Sequence, residues 1–240
     1  MLLKELLENI NAMPLPKDLE KKTKEIKNSW GLDDFLDDMD SKYYTLGAGS
    51  SREVFSIPDP RATAGRPLAT KVASDWRRGP AQNKAETKRE KALRKYMDIK
   101  KRKDIRILIP LVDYDKSSSS IWVQQREAKK FDYDKFQKFV GIDFEDYGDI
   151  INSLMNEFGI YFQKNGKKVQ LKYIKAYLRN SKKITKNSMT EKFLIQCVKL
   201  ARELKINFED LTTENNWGTY KDKPVIVDYG FNEEVHRRFY

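Results

Sequence analysis

The chain has 240 residues, 35% of them charged and 12% aromatic, and its formal net charge is +11. That much large apolar side chain under so polar an exterior excludes extended disorder and predicts one domain or a two-lobed unit. A single cysteine, Cys197, and a single histidine, His236, exclude an internal disulfide and argue against a Ser/His triad, a histidine metal site or a Cys/His zinc module.

The positive charge suits acidic partners such as nucleotide phosphates, although lysine-rich surfaces are more often simply solvated. Cys197, inside the apolar helical stretch FLIQCVKLA, reads as a small core residue. No apolar run is long enough to span a membrane, and acidic residues interrupt MLLKELLENI where a signal sequence would have its apolar core. A cytoplasmic protein is expected.

In chain order, residues 1–42 read as a helical arm. LLKELLENI has helical spacing, Pro14 and Pro16 break it, and KDLEKKTKEIKNSW and LDDFLDDMD resume it. Such an arm either docks a partner or, more commonly, braces the domain that follows. Short strands come next: YYTLGAG, EVFSI and LATKVA, with IPDPRATAGRP as a turn, form an antiparallel meander. A charged helix is expected over 81–102. Two more strands, IRILIPLVDYD and SIWVQQREA, flank a serine turn. Beyond Lys130 four helices are expected, in DYDKFQKFVG, FEDYGDIINSLMNEFG, VQLKYIKAYLRN and SMTEKFLIQCVKLARELK, and then a short β-turn-β element around VIVDYGF.

Three places carry chemistry. Gly47 and Gly49 lie between two strands, where backbone N–H groups without neighbouring Cβ atoms can approach phosphate oxygens, although a Gly-x-Gly hairpin is by itself a common turn. Lys71 stands in the apolar strand ATKVA, so its ammonium must leave by an edge or meet an anion, and Glu86 on the next helix can hold it. In FEDLTTENNWG, Asp210 and Asn215 follow a helix, and Asp228 comes thirteen positions after Asn215, at the end of the strand PVIV. A carboxylate and a carboxamide on neighbouring loops are hard oxygen donors suited to Mg²⁺, and a further aspartate can orient a hydroxyl.

The ordered set Gly47-x-Gly49, Val54, Ala69-x-Lys71, a helix glutamate, Asp210-Leu211-x-x-Glu214-Asn215 and Asp228-Tyr229-Gly230 resembles the protein-kinase fold, over about residues 43–231. More loosely, KVASDWRRGPAQNKAE resembles small, divergent kinase-like proteins of bacteriophages. The resemblance implies an α+β, two-lobed protein-kinase-like fold: the arm over 1–42, a five-stranded antiparallel N-lobe over 43–128 and a reduced helical C-lobe over 129–240. It implies ATP and Mg²⁺ as cofactors. Gly47 and Gly49 would cover the phosphates and Val54 the adenine. Lys71 would contact the α- and β-phosphates and pair with Glu86, Glu90 being the alternative. Residues 122–128, Gln125 and Glu127 among them, would be the hinge whose backbone meets the adenine edge. Asp210 would be the catalytic base, Asn215 and Asp228 would hold the metal, and Tyr229 would pack beneath Asp228.

Departures from the pattern are informative. Arg52 replaces the third loop glycine, which raises the loop over the phosphates or offers them a guanidinium. Phe208-Glu209 stands where the family has His-Arg. Few residues follow DYGF, so the resemblance implies a C-lobe without the activation segment and the helices of the peptide platform. The leading expectation is an ATP- and Mg²⁺-dependent phosphotransferase acting on a protein hydroxyl or on itself, in the host cytoplasm if the protein is phage-encoded. The alternative is a catalytically inactive kinase-like scaffold that binds a protein partner, with or without nucleotide. Nucleic-acid binding through KKRKDIR and KNGKKVQLKYIK is the weakest reading, because lysine-rich loops are usually solvated.

Overall fold

A computed structural model describes residues 17–59, 67–96, 106–159, 163–164, 167–180 and 188–230. The fold is α+β. Of the described residues, those up to Glu90 together with Pro110–Glu127 form one compact unit, and Lys91–Ile109 together with 128–230 form a second. The expected helix in LLKELLENI, positions 97–102 of the charged helix, and His236 lie outside the described residues.

The first unit opens with α1 (Lys17–Glu25) and α2 (Ser29–Lys42). The chain breaks between them at Asn28, whose side chain accepts the Gly31 N–H at 3.0 Å and starts the second helix. Leu32, Phe35, Leu36 and Met39 recur at helical spacing and are buried. The sheet consists of β1 (Tyr44–Ala48), β2 (Arg52–Ile57), β3 (Leu68–Ala73), β4 (Leu111–Tyr114) and β5 (Trp122–Arg126). It is antiparallel throughout, in the order β1-β2-β3-β5-β4.

Strand alternation sorts its side chains onto two faces. The register sets Phe55 opposite Thr70 and Val72 opposite Trp122. That face buries Phe55, Ile57, Val72 and Trp122 with Leu19, Leu32, Phe35 and Met39 in one core. The two helices therefore brace the sheet through their apolar face. On the opposite face the same register aligns Val54 with Lys71, Lys71 with Val123, and Ala69 with Gln125.

Helix α3 (Arg78–Tyr96) starts three residues earlier than the sequence predicts. Asp75 starts it, accepting the N–H groups of Arg77 at 2.9 Å and Arg78 at 2.6 Å, and Pro80 is harmless in a first turn. Burial alone would raise the Asp75 pKa, but those N–H groups and the Arg78 guanidinium hold it below the usual aspartate value. Gly79 sets the approach of the helix: a Cβ there would lie 2.5 Å from the Ala73 Cβ and 2.6 Å from the Ser51 carbonyl oxygen. The predicted strand IRILIPLVDYD divides at Pro110. Ile109 donates its N–H to Ile226 O at 3.0 Å and Ile107 O accepts from Ile226 N at 2.7 Å, both within the second unit, while β4 begins only at Leu111. Proline, which has no N–H for a ladder, marks the change.

The second unit continues through β6 (Lys129–Lys130), α4 (Tyr133–Val140), α5 (Phe144–Phe158), β7 (Gln163–Lys164), β8 (Lys167–Lys168), α6 (Leu171–Asn180), α7 (Ser188–Leu204), α8 (Phe208–Thr212), β9 (Trp217–Tyr220) and β10 (Lys223–Ile226). Asp132 and Asp143 cap α4 and α5, and Gly141 ends α4 in the left-handed region at φ 90°. The core is aromatic. Phe136 meets Phe131, Phe144, Tyr147, Phe193 and Trp217 edge-on, with ring centroids between 5.2 Å and 5.9 Å. Cys197 is fully buried in this core, 3.5 Å from the Tyr147 hydroxyl, and burial pushes its thiol pKa up to about 12. The expected β-turn-β element lies earlier than predicted: β9 and β10 pair over 217–226, and residues 227–230 have no regular secondary structure. No helix among the described residues is long and apolar enough to cross a membrane.

Candidate functional site

Seven of the ten residues singled out from the sequence lie in the first unit: Gly47, Gly49, Val54, Lys71, Glu86, Gln125 and Glu127. The other three, Asp210, Asn215 and Asp228, lie in the second.

In the first unit, β3 carries Lys71 and α3 carries Glu86. Lys71 Nζ donates to Glu86 Oε1 at 2.8 Å, with both side chains buried. In QNKAE, Gln82 and Asn83 stand four and three residues before Glu86, so each neighbours it on the surface of α3. Gln82 Oε1 accepts from the Ser51 hydroxyl at 3.0 Å. Asn83 donates Nδ2 to the carbonyls of Ser120 at 3.0 Å and Ile121 at 2.8 Å. Glu86 receives Arg52 Nη1 at 2.7 Å in addition to Lys71. Arg52, which stands where the kinase pattern has its third loop glycine, turns its guanidinium to Glu86. The residue is 4% exposed, and strand alternation puts its side chain on the Lys71 face, within reach of Glu86 and Asn83.

Gly47 is exposed near the end of β1, opposite Val54, and Gly49 is exposed in the β1–β2 connection. The Gly49 N–H donates to Arg52 O at 2.8 Å and so closes the turn itself. A Cβ at Gly47 would meet nothing within 4 Å, and one at Gly49 would make only an ordinary contact. Val54 is half-buried beside Lys71 in the ladder. Gln125 is 3% exposed on the same face, and its Oε1 accepts no hydrogen bond among the described residues. Glu127 is held by the Ser56 hydroxyl at 2.9 Å.

In the second unit, α8 carries Asp210, which is 6% exposed. The next residue anchors that helix, because Leu211 O accepts both the Tyr147 hydroxyl and the Trp217 indole N–H at 3.0 Å. Asn215 is exposed in a single 3₁₀ turn, Glu214–Asn216. Asn216, not singled out from the sequence, sends Nδ2 toward Asp210 Oδ1 over a long 3.5 Å, and its carbonyl accepts from Val227 N at 2.7 Å and Asp228 N at 3.5 Å. Asn216 thus joins the Asp210 helix to the Asp228 segment; the doublet Asn215-Asn216 was its only trace in the sequence. Asp228 is half-buried and accepts the Gly230 N–H at 3.4 Å, while Tyr229 beside it is fully buried in the aromatic core.

Asn215, exposed, and Asp228, half-buried, carry hard oxygen donors of the kind Mg²⁺ takes, on two backbone segments joined through the Asn216 carbonyl. Among the described residues, no three His, Cys, Asp or Glu side chains form a self-sufficient cage. No protein-family model matches the chain, and no curated protein matches it.

Proposed function

We propose that this protein is an ATP- and Mg²⁺-dependent phosphotransferase of the protein-kinase kind, acting on a protein hydroxyl or on itself. One observation carries the reading. A buried lysine on the third strand of a five-stranded antiparallel sheet pairs at 2.8 Å with a carboxylate on the following helix, the pairing with which protein kinases hold a lysine against ATP phosphates. Lys71 neutralises charge on the α- and β-phosphates. Asn215 and Asp228 would hold Mg²⁺, which would neutralise phosphate charge. Asp210 orients the acceptor hydroxyl and takes its proton as the acceptor oxygen bonds to the γ-phosphorus and the bond to the bridging oxygen breaks, releasing ADP.

A second reading, a kinase-like scaffold that docks a protein partner without transfer, draws on exposed aromatic surface in the first unit: Trp30 is 79% and Tyr44 76% exposed. Incubation with Mg²⁺ and γ-labelled ATP, alone and with cell lysate, beside Asp210→Ala, separates the two. Label that disappears in Asp210→Ala is the expected result. ATP binding without label supports the scaffold, and neither binding nor label overturns the phosphotransferase.

A further inference from the structure

Glu86 is 0% exposed, and both of its cations reach the same oxygen, Arg52 Nη1 at 2.7 Å and Lys71 Nζ at 2.8 Å from Oε1. Its other oxygen, Oε2, accepts no hydrogen bond among the described residues. The two cations differ in kind. Arg52 Nη1 also donates to Asn83 Oδ1 at 3.3 Å, and Asn83 is pinned to the Ser120 and Ile121 carbonyls just ahead of β5. The guanidinium is thereby fixed to the sheet through a carboxamide. Lys71 carries a compact charge on a flexible four-carbon stem, the kind of cation that can change partners. Were Lys71 the sole counter-ion of Glu86, its departure toward an arriving anion would leave a buried carboxylate uncompensated, which is strongly unfavourable.

We propose that Arg52 is a positioning residue for the phosphate-binding lysine: a fixed counter-ion that keeps Glu86 neutralised and in place while Lys71 moves its ammonium from Glu86 Oε1 to a phosphate oxygen. The ligand class is the polyphosphate of a nucleoside triphosphate, and the inference rests on the phosphotransferase reading. In a kinase-like frame a third loop glycine would carry no charge to this carboxylate. Here the arginine at that position separates two tasks, orienting the helix glutamate and binding phosphate, that Lys71 would otherwise have to perform together.

The test is calorimetric binding of ATP and of inorganic tripolyphosphate to the full chain, with folding of each variant checked by circular dichroism. Arg52→Gln is expected to weaken both ligands by about 10- to 100-fold, the range that corresponds to a lost charge-assisted hydrogen bond. Arg52→Lys should recover part of that loss. The double variant Arg52→Gln, Glu86→Gln removes the carboxylate together with its fixed counter-ion and should bind tripolyphosphate more tightly than Arg52→Gln alone. A merely structural arginine predicts the reverse, because the double variant removes more contacts. Should Arg52→Gln fail to fold, Arg52→Lys and the double variant carry the comparison. Wild-type affinity in Arg52→Gln, or a double variant no better than the single, overturns the role of Arg52 alone. Failure of the wild-type protein to bind either ligand overturns the phosphotransferase reading as well.

Discussion

The two units bury their centres by opposite means. Around Glu86 the first unit encloses Arg52, Lys71, Gln82 and Asn83, polar side chains whose positions are set by hydrogen bonds. Around Phe136 the second encloses aromatic rings, and the Tyr147 hydroxyl and the Trp217 indole N–H there both donate to Leu211 O. Burial in the second is favourable by itself. Burial around Glu86 is tolerated only because charges and hydrogen-bonding groups meet. A polar centre of this kind is weak evidence of a need for stability and better evidence of a need for charge in a set position.

Breaking each centre should cost a similar amount. Phe136→Ala is expected to destabilise the second unit by about 3–5 kcal/mol, and Glu86→Ala the first by about 3–5 kcal/mol, read from urea unfolding. The sharper comparison replaces the whole ionic set with Arg52→Met, Lys71→Met and Glu86→Leu. That triple variant should recover most of the stability lost in Glu86→Ala and bind no ATP; a triple variant as unstable as Glu86→Ala would show that the ions serve the fold itself.

Gly79→Ala should cost about 1–3 kcal/mol, because the new Cβ falls against the Ala73 and Ser51 backbone rather than against a movable side chain. An alanine variant with unchanged melting temperature would remove this contact from the account of how α3 meets the sheet. Asp75→Ala should cost about 1 kcal/mol, the usual worth of a helix N-terminal cap. Its pKa is lower folded than unfolded, so its contribution is complete above the ordinary aspartate value and disappears as pH falls through the depressed one. The melting difference between wild type and Asp75→Ala should therefore be constant at neutral pH and close only in acid.

The smallest stability effect is expected at the half-buried Asp228. Asp228→Ala should leave the unfolding midpoint within about 0.5 kcal/mol of wild type yet abolish Mg²⁺-dependent nucleotide binding. Magnesium-dependent binding that survives the substitution would take Asp228 out of the ligand set.

Much of this was legible in the chain and some was not, for physical reasons. The five strands announced themselves by β-branched runs between Gly, Pro and Ser turns, and Glu86, with Glu90 as the alternative, by its place fifteen residues after a lysine set among apolar neighbours. The direction of Arg52 was not legible, because it depends on the β2–β3 register, and a shift of one residue would have turned the guanidinium to the other face. Nor was the division at Pro110. The apolar residues on both sides of it look alike as sequence, and only tertiary pairing with Ile226 separates them. The role of Gly79 is a close approach between elements, which no local pattern encodes. Asn216 escaped notice because its neighbour Asn215 fitted a motif.

The β9–β10 hairpin sets the interval between Asn215 and Asp228. Trp217 faces Ile226 across the ladder, the carbonyl of Asn216 then takes the Val227 N–H, and the strands reverse at Lys221 and Asp222, both exposed and both at positive φ. The thirteen-position interval is thus the contour length of a hairpin whose ends are tied and whose exposed tip is held by the Asp222–Lys135 ion pair at 3.0 Å. Added residues at the tip would leave both ends adjacent at a closure cost of about 0.6 kcal/mol per doubling of loop length, whereas one residue added inside a strand would turn every later side chain over. Insertions should therefore accumulate at positions 221–222 in descendants of this chain, and a search for distant relatives should let that gap vary while holding the strand lengths fixed.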